Sequence, residues 1–248
     1  MNKALFLLFA VLTLFGCSPT NETLYHYKFI PALKDQSPAP AIYIAPFNIL
    51  LNNPLPLDAT APVYSNLADY LKQNGYTVLP EKQITDIWDK NSTAIGGLFD
   101  PKTGRFSNDR FNKCLKLTLA DLNKTDRYSY VLFPGLVIKQ VELKRRTDIG
   151  EWDGVRRELP RENVFSNGWR KALVASLLVS VVTPEDKLLF QSLGGLDFVQ
   201  VSAKNGRDYV LKDRENPFVN QEFVSEGVGI ALHPFIKFAG YPGGQKNI

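Results

Sequence analysis

One stretch of this chain crowds acids against arginines. Asp148, Glu151, Asp153, Glu158 and Glu162 are interspersed with Arg145, Arg146, Arg156, Arg157 and Arg161. Two carboxyl groups do general acid–base work when water-poor surroundings keep one protonated near neutral pH. This segment, TDIGEWDGVRRELPREN, is polar and turn-rich, so it reads as a solvated charged loop with its turn at Asp153-Gly154. The functional alternative is a partner-binding loop. Trp152 and Trp169 flank the charges, and Trp with Arg is the composition of binding hot spots. Trp152, Trp169, Arg156 and Arg157 are therefore the candidate partner-binding residues.

Other chemistry finds little to build on. The histidines are His26 and His233, and the cysteines are Cys17 and Cys114. No pair among them has the spacing of a local metal site, so neither metal nor cofactor is expected. There is no G-x-S-x-G and no S-x-x-K. GYPGGQK has Gln245 where a phosphate loop needs glycine, and no helix follows it to supply N–H groups. The net charge is +4, with basic and acidic residues interleaved, which gives nucleic acid no one-sign stripe. No catalytic residue is assigned, and the chain is not expected to be an enzyme.

Cys17 sits at a more telling place. Met1-Asn2-Lys3 is weakly positive, and in Ala4–Gly16 the only polar side chain is Thr13. A membrane span needs about 20 apolar residues, whereas this run has the length of a signal-peptide core. Its end, Leu14-Phe15-Gly16-Cys17, resembles the lipobox of bacterial lipoproteins, with Phe15 where that family usually has a smaller residue. The resemblance implies that residues 1–16 are a cleaved signal peptide and that Cys17 becomes the acylated N-terminus. Ser18, in that family's sorting pattern, favours the outer membrane, with the chain on the periplasmic side. Several acyl chains hold stably where one holds marginally. Cys114 then has no disulfide partner and reads as a buried core thiol.

The elements that must position any site follow from periodicity. Ser18–Pro40, rich in proline, reads as a tether that could reach roughly 70 Å at about 3.3 Å per residue. Within it YHYKFI alternates Tyr25, Tyr27 and Phe29, either as a short edge strand packed on the domain or as an aromatic segment at lipid headgroups. AIYIAPFNIL is a buried strand that ends or bulges at Pro46. Val63, Leu67 and Leu71 give a helix stopped at Asn74-Gly75. A strand at 76–80 and helices from 81 and from about 108 follow, with a turn-rich loop at 91–108 between the two helices. Strands are expected at 128–146, with a bulge or bend at Pro134-Gly135, and at 169–182. After a turn at 183–187, SLGGLD sits in a strand pattern where its glycines mark a bulge or bend, and Asn205-Gly206 makes a hairpin. A last helix over 219–232 is weakened by Gly227 and Gly229.

The fold class is therefore α/β (α+β): a mixed sheet in the order β-α-β-α-α-β-β-β-α, with helices packed on it. The domain is expected to span 41–238, followed by a loose tail over 239–248. The run IYIAPFNI, then NLADYLKQNGYTVLPEKQITDIWDK, YSYVLFPGLVIKQVEL and LLVSVVTPEDKLLFQS, resembles a superfamily of periplasmic α/β domains. That superfamily includes the N-terminal domain of TolB, the curli secretion lipoprotein CsgG and the penicillin-binding-protein activator lipoprotein LpoB. The resemblance implies a binding platform in an envelope assembly, with the membrane reached through the N-terminal lipid and an envelope protein as partner. The segments 91–108 and 147–168 are too polar for the amphipathic hairpins of a pore. Two other readings stay open: a periplasmic enzyme acting on cell-wall material, with a site formed only by folding, and a structural subunit of a larger ring or secretion assembly, which a stable homo-oligomer would favour.

Overall fold

The computed structural model describes residues 27–47, 57–144, 146–162, 169–206 and 208–242. Cys17, the signal peptide and Tyr25 lie outside the described residues. Strand β2 (Ala41–Ile44) follows a two-residue strand β1 (Lys28–Phe29). Ile42, Tyr43 and Ile44 are wholly buried, as their continuous apolar run requires. Helix α1 (Leu57–Gln73) buries the stripe Val63, Leu67 and Leu71. It stops at Gly75, whose φ of +85° suits a residue without Cβ. There the Tyr76 N–H donates to Leu71 O and the Gly75 N–H to Lys72 O, both at 3.1 Å, which satisfies the last carbonyls. Strand β3 (Thr77–Val78), helix α2 (Glu81–Ala94) and helix α3 (Asn108–Thr125) come next. Ser107 caps α3 by accepting the Arg110 N–H.

Strand β4 (Tyr130–Lys144) lies parallel to β2 on the side away from β3, so the chain passes from β2 to one neighbour and then back across to the other. Right-handed crossovers in opposite directions put their helices on opposite faces. Accordingly α1 packs with Ile42, Ile44 and Leu132, while α2 and α3 pack with Tyr43, Ala45, Val131 and Phe133.

The second half is antiparallel. Strand β7 (Lys171–Val182) pairs with β4 from Val131↔Val182 to Glu142↔Lys171. The bulge expected at Pro134-Gly135 does not form, since both residues keep register with Val179 and Leu178. The Ala45 N–H donates to Leu132 O, so Pro134 also turns its nitrogen toward β2, beyond the residue where β2 ends. No ladder bond is lost there. Strand β8 (Leu188–Phe198) does bulge: Leu196 and Asp197 together oppose Ala175, directly after Gly194-Gly195.

The polar connection is a hairpin rather than a loop. Strand β5 (Ile149–Trp152) and strand β6 (Val155–Glu158) flank an Asp153-Gly154 turn with φ of +36° and +87°. Both left-handed values belong to the tight turn that matches strand twist. Strands β9 (Gln200–Asn205) and β10 (Asp208–Asp213) form a separate ribbon, as Asn205-Gly206 predicted.

Helix α4 (Gln221–Leu232) shows why its glycines are tolerated. A Cβ on Gly194 would stand 2.1 Å from Gly227 O, and one on Gly227 would stand 2.4 Å from Gly195 O. Helix and strand touch backbone to backbone. Beyond α4, Phe235 joins Phe29, Tyr76, Tyr130 and Phe190 in one aromatic cluster.

Both ends of the domain extend further than expected. Residues 27–40, assigned to the tether, are docked: Phe29 meets the Phe190 ring edge-on at 5.9 Å, and Lys34 Nζ donates to Phe235 O at 2.6 Å. The Ser129 hydroxyl donates to the Asp35 carboxylate, and the Asp35 N–H donates to the Tyr130 hydroxyl. The edge-strand reading of YHYKFI holds at Lys28–Phe29, where Phe29 is half-buried against the core. At the other end Tyr241, assigned to a loose tail, stacks on His233 at 4.0 Å.

Two outcomes are expected. Gly194→Ala forces helix and sheet apart and lowers unfolding free energy by about 3 kcal/mol, measured by urea titration. His233 Nδ1 accepts the Phe238 N–H, and burial holds the imidazole below its usual range. The neutral form is favoured by folding, so its contribution is complete above the unfolded value of about 6.5 and is lost as pH falls below it. The thermal midpoint should drop between pH 7 and pH 5, with a smaller drop in His233→Gln.

Candidate binding surface

The four residues singled out for binding do not form an exposed patch. Strand β8 is paired by β1 only at Phe190 and Gln191, and the β5–β6 hairpin covers the edge further along. The Gly195 N–H donates to Asp153 O at 2.9 Å. Trp152, 6% exposed, gives its indole N–H to Ala175 O and sets its ring against Phe198 at 5.1 Å. Arg157, also 6% exposed, donates from Nε to Leu196 O at the bulge. Its guanidinium lies 4.1 Å over the Phe223 ring and 2.6 Å from Glu226, both on α4. Trp152 and Arg157 thus satisfy and cover the bulged edge and are corrected from binding residues to framework. Trp169 is half-buried against Ser202, and Arg156 alone is exposed, beside Glu151.

Among the described residues, clefts lie at both ends of β2. One, of about 550 Å³, opens where α1 and α2 leave the ends of β2 and β3 for opposite faces. That divergence is the place where open α/β sheets take ligands. Pro46, Phe47, Tyr64, Glu81 and Lys72 line it. Burial, reinforced by Glu81, pushes the Tyr64 phenol up, so it stays protonated and donates to Ile44 O. The other cleft, of about 520 Å³, lies at the opposite end of β2 and holds Asp35, Asp126, Arg127 and Glu185. The Ser129 and Ser37 hydroxyls draw Asp35 below the usual carboxylate range, and the Tyr43 hydroxyl and Gln83 amide do the same for Asp126. Carboxyls held ionised accept hydrogen bonds but do not serve as general acids. Among the described residues no group of three His, Cys, Asp or Glu side chains is placed to hold a metal ion.

The most developed exposed feature is the link between α2 and α3. Phe99 is 50% exposed and Phe106 45%, large values for aromatic side chains in a domain with this much core to fill. They face each other across an isolated antiparallel bridge, with ring centroids 5.9 Å apart and edge to face. The intervening turn is closed by its own backbone. The Asp100 N–H donates to Arg105 O, the Gly104 N–H to Asp100 O, and the Ser107 N–H to Leu98 O. The Asp100 carboxylate accepts the Thr103 and Lys102 N–H groups, which hold its pKa below the usual range.

From below, the Arg110 guanidinium clasps the carbonyls of Ile95, Gly96 and Gly97 at 3.2, 2.8 and 3.2 Å. Phe106 then meets Phe111, and Phe111 meets Trp88, so an aromatic chain runs from the surface into the core. Rigid, amphipathic aromatic area flanked by Lys102 and Arg105 is what a protein partner can bury at little entropic cost. Sequence reading placed a loop here and did not single out Phe99 and Phe106. The signal was the symmetry of Phe-Asp and Arg-Phe about the DPKTG turn.

No protein-family model, curated protein or solved structure matches this chain.

Arg110→Ala should lower unfolding free energy by about 1 kcal/mol, because the clasp is partly solvated. It should also speed amide exchange across residues 95–107 at least tenfold while leaving the β4–β7 ladder protected. Equal exchange in both proteins would show that the clasp does not order the loop.

Proposed function

We propose that this chain is a lipid-anchored accessory protein of a cell-envelope complex, facing the periplasm from the outer membrane and acting by binding a protein partner. The anchor is Cys17, on the strength of Leu14-Phe15-Gly16-Cys17, and the leaflet follows from Ser18. The observation that supports a binding role most directly is the braced display of Phe99 and Phe106. A domain keeps two large aromatic rings half in water on a loop with this many internal bonds at a cost in solubility. A partner that buries their exposed halves recovers about half of the roughly 1.5–3 kcal/mol that full burial of such a ring is worth.

The test is a crosslinking pull-down of the tagged full chain from native membranes, beside Cys17→Ser and a Phe99→Ser/Phe106→Ser double variant. The wild type should fractionate with the outer membrane and recover a defined envelope protein. Cys17→Ser should leave the membrane fraction. The double variant should stay there and recover at least tenfold less partner. Fractionation of Cys17→Ser with the wild type would overturn the lipid anchor, and undiminished recovery by the double variant would overturn the loop.

A further inference from the structure

The β9–β10 ribbon stands apart from the main sheet, and among the described residues β10 pairs only with β9. The phase of its hydrogen bonds is fixed. The Arg214 N–H donates to Val199 O at 2.9 Å, and this pair continues the ribbon register of Asp213↔Gln200. Bonded and non-bonded pairs alternate along an antiparallel ladder. Asp208, Val210 and Lys212 therefore spend their backbone groups on β9, and Tyr209, Leu211 and Asp213 turn theirs to the open edge. Asp208, Val210 and Lys212 share one face and are exposed, Val210 at 37%.

We infer that β10 is an interface for a second copy of this chain, joined by antiparallel edge pairing about a two-fold axis through Val210. In that register Tyr209 and the partner's Leu211 exchange both of their outward backbone bonds, and symmetry repeats the exchange. Asp208 stands opposite the partner's Lys212, again twice, and Val210 meets its own counterpart. A slip of one residue sets outward groups against inward ones and forms no ladder. Centring the axis on Leu211 keeps the phase but sets Asp208 against Arg214, which is already committed to Asp197 Oδ2 at 2.9 Å and Phe198 O at 2.7 Å. Charges on an edge strand ordinarily repel further strands. Here their order makes the edge complementary to itself while hostile to a strand of one sign. An isologous contact of this kind closes as a dimer and propagates no fibre.

The test uses the full chain in its native membrane with Val210→Cys and a mild oxidant. Non-hydrogen-bonded partners lie about 4.5 Å apart at Cα, within reach of a disulfide. A reducible dimer is expected from Val210→Cys and not from Lys102→Cys or the wild-type chain, which carry the same Cys17 and Cys114. In the Val210→Cys background, Asp208→Lys or Lys212→Asp should each cut the dimer yield about fivefold, and the two together should restore it. Dimer no more abundant than in Lys102→Cys, or a double charge swap as poor as the singles, would overturn the interface. Unchanged circular dichroism of the swapped variants separates loss of pairing from loss of fold.

Discussion

Backbone contact between α4 and β8 is the constraint from which most of the other features follow. Gly194 and Gly227 let the helix axis come closer to the sheet than any side chain would permit. That approach brings Phe223 and Glu226 over the sheet edge, where Arg157 meets both. It sets Ile230 against the turn at Gly154, so the β5–β6 hairpin is held from the helix as well as from β8. It also delivers Phe235, just past the helix, to the ring cluster that receives Phe29. Two methyl groups added at this crossing would loosen the hairpin, the C-terminal turn and the N-terminal strap together.

Charge is used sparingly and in tension with burial. Asp197 lies in the β8 bulge, where desolvation raises its pKa against the pull of Arg214. Buried pairs of this kind contribute little net stability yet penalise rearrangement strongly, because separating them strands a charge. At the hairpin turn Lys139 and Ser176 both bond Asp153 at a partly exposed site. The bulge, hairpin and ribbon are thus pinned in register, while the α2–α3 link is braced by neutral carbonyls around one guanidinium.

Sequence periodicity sufficed wherever a pattern was long. The stripe of α1, the Gly75 stop, the β7–β8 pair and the Asn205-Gly206 turn were legible because local propensity and tertiary packing agree there. The β5–β6 hairpin was hidden because its buried positions carry Gly150 and Arg157, which break the usual apolar alternation. Pro134 misled for the complementary reason. It signals a bulge only where a neighbouring strand needs its N–H, and β2 has already ended. Trp152 and Arg157 looked like a hot spot because the composition that binds a partner also suits a domain covering its own sheet edge. Phe99 and Phe106 went unremarked because exposure is a property of the folded chain.

The N-terminal strap would change the mechanics of a lipid attachment at Cys17. Docking of residues 27–40 leaves only residues 18–26 between Cys17 and the folded body, and nine residues span at most about 30 Å against roughly 70 Å for the full stretch 18–40. With a lipid on Cys17, the domain would be confined to a layer less than half as thick above the bilayer. Anchored copies crowded into that layer meet one another and any membrane-bound partner at a correspondingly higher local concentration. With that anchor, a partner standing farther off would be out of reach unless the strap peeled from β8, so the two-residue strand β1 would also set the working height of the molecule.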